Sequence, residues 1–93
     1  MERAIRLIKD LANYNPDAVM LEPRKDFDNA VVSITSNQEG QVVAVYDEIK
    51  IIDILVGQGM NVDEAKEYYC FNIEGAYMGK NTPVYKKAAP PER

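Results

Sequence analysis

Two runs rich in β-branched residues, Ala30-Val31-Val32-Ser33-Ile34-Thr35 and Gln41-Val42-Val43-Ala44-Val45-Tyr46, stand on either side of Asn37-Gln38-Glu39-Gly40. Side chains branched at Cβ suit an extended, pleated backbone, and a short connection ending on glycine folds two such runs back on each other. The pattern predicts an antiparallel β-hairpin. Gly40 is placed where the connection closes with positive φ, a conformation strained for any residue carrying a Cβ.

The flanking segments read as helices that supply the layer on which the hairpin packs. Over residues 2–13, Ala4, Ile5, Leu7, Ile8, Leu11 and Ala12 recur at spacings of three and four, with Arg3, Arg6, Lys9 and Asp10 mostly opposite. Asn15-Pro16 ends that helix, because a residue before proline is pushed out of the helical region. Residues 18–21, an apolar run between Pro16 and Pro23, have the length of a short edge strand. Arg24, Lys25, Asp26 and Asp28 form a charged loop around Phe27, which folds back as an anchor.

After the hairpin, Asp47 is placed to cap a helix over residues 48–56. Its Ile49, Ile51, Ile52, Ile54, Leu55 and Val56 are too dense for one face, which predicts cover on both sides. Gly57-Gln58-Gly59 stops it, and Asn61 and Glu64 have the spacing of a capping box. The helix they start is expected to reach about Glu74 or Tyr77, with Val62, Ala65, Tyr69, Ile73 and Ala76 on its buried stripe. Thr82-Pro83-Val84-Tyr85 offers a last extended piece at a sheet edge. The expected fold is therefore a small α+β domain over residues 1–85, in the order α-β-β-α-α, followed by a flexible C-terminal tail over residues 86–93.

Hydrophobic residues at 46% and charged ones at 28% are the balance of a chain that forms a core. With 15 acidic against 11 basic side chains the net charge is −4, which excludes a field suited to nucleic-acid phosphates, and the interspersed lysines and arginines argue against imitation of DNA. The lone Cys70 forms no internal bridge and suits a reducing cytoplasm; its expected role is that of a small apolar core residue. No apolar run is long enough for a membrane span.

Without histidine, the chain lacks the usual general base near neutrality and, having one cysteine, the parts of a zinc site. Asp26, Asp28, Asp47, Glu48 and Asp53 have the oxygen ligands for magnesium, yet their spacing selects no such site. Gly57 and Gly59 follow a helix rather than a strand, unlike a phosphate loop. No cofactor, metal site or catalytic residue is expected.

The remaining unusual stretch is Glu74-Gly75-Ala76-Tyr77-Met78-Gly79-Lys80-Asn81-Thr82-Pro83. Two readings stand beside each other: a recognition surface, or a helix terminus turning back so that Tyr77 and Tyr85 cover the core. Tyr68, Tyr69 and Tyr77 also have the amphipathic character enriched at interfaces. As a partner-binding set the surface reading selects Tyr68, Asn72, Tyr77, Met78, Lys80, Asn81 and Thr82.

Residues 15–85 resemble a family of small uncharacterised bacterial and phage proteins. The likeness rests on Gly59-Met60, then Glu64-Ala65-Lys66-Glu67-Tyr68-Tyr69-Cys70-Phe71-Asn72, then Gly75-Ala76-Tyr77-Met78-Gly79-Lys80-Asn81-Thr82-Pro83, and upstream on Asn15-Pro16-Asp17-Ala18, on Phe27-Asp28 with Ala30, and on Val45-Tyr46-Asp47. The resemblance implies a phage or prophage setting and carries no assigned activity. The function expected is a non-catalytic protein-interaction module, one that inhibits a host protein or self-associates, with no nucleic-acid or membrane partner. Two rivals are a nucleotide or other small-ligand binder or enzyme using clustered carboxylates and tyrosines, and a structural phage component.

Overall fold

The structure, a computed structural model, describes residues 2–87. In chain order it contains α1 (Glu2–Tyr14), α2 (Arg24–Phe27), a 3-10 turn (Asp28–Ala30), β1 (Val31–Ser36), β2 (Val42–Asp47), α3 (Glu48–Gly57), α4 (Val62–Tyr68), a π-helical turn (Tyr69–Glu74) and β3 (Val84–Lys86). The fold is α+β, with α1 and α3 packed on a three-stranded mixed sheet.

The hairpin forms as its sequence requires. β1 and β2 pair antiparallel from Val31↔Tyr46 to Ser36↔Val42, and a bulge between Val31 and Ser33 leaves Val32 as the extra residue. In the connection, Asn37 Oδ1 accepts from the amides of Glu39 (3.0 Å) and Gln41 (2.9 Å), and Gly40 closes it at φ 83°. Val43, Ala44 and Tyr46 are fully buried because β2 is the central strand.

The third strand changes the sheet from antiparallel to mixed. β3 runs parallel to β2, with Val45↔Val84, Tyr46↔Tyr85 and Asp47↔Lys86 in register. Parallel neighbours need a long crossover, here α3, α4 and the π-helical turn. Lys86, expected in the tail, instead ends β3, and residues 88–93 of that expected tail lie outside the described residues.

Residues 18–21 form no strand. The Val19 amide donates to the Asn81 carbonyl (3.1 Å) and the Leu21 amide to Tyr46 Oη (2.9 Å), so this segment crosses the fold on isolated bonds rather than in a ladder. The charged stretch after Pro23 is likewise not a loop but a turn of helix, supported by the Arg24–Asp28 ion pair at 2.7 Å. Phe27 is buried, as expected of an anchor.

Asp47 caps α3 by accepting from the amides of Ile49 and Lys50, and the capping box of α4 is complete, Glu64 N to Asn61 Oδ1 at 2.8 Å and Asn61 N to Glu64 Oε1 at 3.0 Å. Cover on both sides of α3 is not found: Ile51, Ile52 and Leu55 are buried, whereas Ile49 and Val56 face solvent. Of the stripe expected in the last helix, Ala65, Tyr69 and Ile73 are buried. Val62, in the first turn, is exposed beyond the core. The helix does not keep one pitch: after Tyr68 it widens, and Gly75 N bonds to Cys70 O, five residues back, at 3.0 Å. Cys70 lies on the outside of this wide turn, exposed rather than in the core.

Tyr46 organises the interior. Its ring stacks on Tyr85 at 6.0 Å between centroids, and Tyr85 meets the edge of Tyr69 at 5.8 Å. Aromatic pairs in these offset and edge arrangements add to the burial of their area. Tyr69, one of the three tyrosines with interface character, is thus a core residue, 1% exposed.

Candidate functional site

The seven residues selected from the sequence separate into three groups. Lys80, Asn81 and Thr82 hold the chain that leads into β3. Asn37 Nδ2 donates to the Lys80 carbonyl (2.7 Å), Asn15 Nδ2 donates to Asn81 Oδ1 (2.9 Å), and Thr82 Oγ1 accepts from the Met78 amide (2.8 Å) while donating to the Gly79 carbonyl (2.6 Å). Each of those contacts is internal. Tyr77 is exposed at 74% and therefore does not cover the core, a role that Tyr85 alone fulfils.

Tyr68, Asn72 and Met78 come together on one groove of about 420 Å³ between the wide turn, the end of α3 and the segment before α2. Buried Leu21, Phe27, Leu55 and Ile73 line its interior. Met20, Met60 and Met78, three of the four methionines in the chain, also line it. Met60, Tyr68 and Asn72 continue into an adjoining hollow of about 400 Å³ that is also lined by exposed Phe71. The widening after Tyr68 belongs to the same segment as Phe71 and Asn72, and π-helical turns recur at functional sites.

The groove is acidic. Glu22 lines its larger part, Glu64 and Glu67 the adjoining hollow, and no lysine or arginine among the described residues lines either. Glu64 Oε1 is engaged by its capping box. Methionine side chains are unbranched and polarizable, so walls built from them adapt to apolar ligands of different shape.

Of the carboxylates singled out from the sequence, Asp26, Asp28 and Asp47 are taken up in separate contacts. Asp28 pairs with Arg24, Asp26 accepts from Gln58 Nε2 (3.1 Å), Asp47 caps α3, and among the described residues no group of three or more histidine, cysteine, aspartate or glutamate side chains is placed around a metal-sized space. One polar knot sits where β3 ends. Lys87 Nζ pairs with Glu74 and lies 3.8 Å from Glu48 Oε1, beyond hydrogen-bond reach, while buried Tyr69 Oη has no hydrogen-bond partner among the described residues. Burial, and then the nearby Glu48 carboxylate, push the Tyr69 phenol well above its ordinary value.

Of the residues that line the groove and the adjoining hollow, Tyr68, Asn72 and Met78 belong to the set selected from the sequence, whereas Met20, Met60, Phe71 and the three glutamates do not. The groove is assembled from residues 20–27 on one side and 55–78 on the other, too far apart in the chain for a local period to mark both walls. Met60, directly after the Gln58-Gly59 turn, is the one local signal. The chain matches no family model, no curated protein and no solved structure.

Proposed function

We propose that this chain is a non-catalytic interaction module whose groove receives a basic, amphipathic helix of a partner protein. The observation that supports this is the pairing of a methionine-walled apolar groove with three lining glutamates and no lining cation among the described residues. Helix-in-groove recognition uses an apolar face for affinity, and complementary charge selects the partner and speeds encounter. The resemblance implies a phage or prophage setting, and in that setting the partner would be a host protein.

The test uses two synthetic helical peptides, one with a leucine face and a lysine face, the other with glutamates in place of the lysines. The lysine peptide is expected to bind and to shift the methyl resonances of Met20, Met60 and Met78, with Glu67→Lys weakening it about tenfold. Failure of both peptides to bind, or equal binding by both, would overturn the reading. So would a dimer in light scattering that Glu67→Lys dissociates, because a second copy would then be the occupant.

A further inference from the structure

A second cleft has the opposite electrostatic character. It measures about 480 Å³ and is lined by Arg3, Lys50 and Lys86, with Asn29 and Ser33 as polar neighbours and no carboxylate among its lining residues. Three cations thus gather around one hollow in a chain of net charge −4. They come from three separate elements, the start of α1, the first turn of α3 and the end of β3. Asp47, two residues past Val45, has its Oδ1 taken up by the amides of Ile49 and Lys50.

The position follows from the sheet. β2 and β3 are parallel, so their carboxyl ends lie side by side, and the cleft opens there, with Val45 on one strand and Lys86 on the other. Of the two, β2 runs directly into α3, and open sheets receive ligands at the carboxyl end of strands that lead into helices. Opposite them, the bulge between Val31 and Ser33 interrupts the ladder where Val31, Val32 and Ser33 all reach the lining. Bulges redirect side chains next to sites. Buried Val31 and Ala4 form an apolar base, and half-buried Val32 and Val45 an apolar wall.

We propose that this cleft binds a small phosphate monoester. Arg3, Lys50 and Lys86 hold its phosphoryl group, Asn29 and Ser33 hydrogen-bond its polar substituents, and Val32 and Val45 take its less polar part. Lysine and arginine are the usual phosphate partners, and a cleft of this size suits a ligand of mononucleotide dimensions. The site shares no lining residue with the acidic groove and does not depend on what that groove binds.

The probes are adenosine 5′-monophosphate, adenosine and inorganic phosphate, titrated into the full chain and followed by amide chemical shifts and calorimetry. The monophosphate is expected to bind saturably, at least about tenfold tighter than either fragment, and to shift Arg3, Asn29, Ser33 and Lys50. Lys50→Glu and Arg3→Glu, both exposed positions, should each weaken it by about tenfold or more with thermal melting preserved. Absence of saturable binding overturns the proposal. So do shifts confined to other residues, equal affinity for inorganic phosphate, or unchanged binding by the folded variants.

Discussion

At the scale of single residues, Asn15 and Tyr46 tie distant segments into one core. Asn15, the buried polar residue that ends α1, donates from Nδ2 to Val42 O (2.8 Å) and to Asn81 Oδ1, joining the first helix, the central strand and the approach to β3. Tyr46 does the same with Leu21. Burial pushes the phenols of Tyr46 and Tyr85 up to about 12, and that of Tyr69 higher still, from an ordinary 10. A raised value means that the folded state holds the neutral phenol more firmly than the unfolded chain does. The resulting stability is complete below about pH 10 and is lost as pH rises through about 12. Melting followed by circular dichroism should therefore be insensitive to these groups below that window and fall steeply inside it. Tyr46→Phe should flatten the fall while lowering stability at neutral pH by about 1 kcal/mol, since the Leu21 amide loses its acceptor. An equally steep fall in that variant would show that Tyr46 is not among the groups responsible.

At the scale of elements, the wide turn after α4 depends on one glycine. A Cβ built on Gly75 would stand 2.8 Å from the Cys70 carbonyl oxygen and 3.3 Å from that of Phe71, both backbone atoms that cannot swing aside. Gly75→Ala must either unwind the π-helical turn or displace the segment that follows, and a loss of about 1–3 kcal/mol is expected, the range of other forced overpacking. Because the turn carries Phe71 and Asn72 into the groove, the same variant should also weaken the lysine peptide. A melting temperature equal to that of the parent would show that the turn relaxes without strain. This element also marks where sequence reasoning stops. The hairpin, its Gly40, both helix caps and the Phe27 anchor were legible, because each is written in neighbouring residues through a local rule. The π pitch was not, since Ala65, Tyr69 and Ile73 fit an ordinary helical stripe, and the extra residue shows only in where Cys70 and Phe71 end up. The parallel pairing of β3 was equally hidden. Three residues, Val84–Lys86, carry no signal of direction, which the crossover of α3 and α4 decides.

At the scale of the whole molecule, a net charge of −4 conceals two surfaces of opposite sign: Glu22, Glu64 and Glu67 along the groove, and Arg3, Lys50 and Lys86 around the cleft. Screening at physiological salt confines exposed charges to a range of about 8 Å, so each surface acts through its own residues rather than through the total. Combining Lys50→Glu with Glu67→Lys leaves the net charge at −4 and separates the two explanations. If local charge governs, each single variant loses one ligand, the monophosphate for Lys50→Glu and the lysine peptide for Glu67→Lys, and the double variant loses both. Stability should stay within about 0.5 kcal/mol, as for other exposed substitutions. If the total charge governed instead, the double variant would bind both ligands like the parent, and the division of this small surface into an acidic groove and a basic cleft would have to be abandoned.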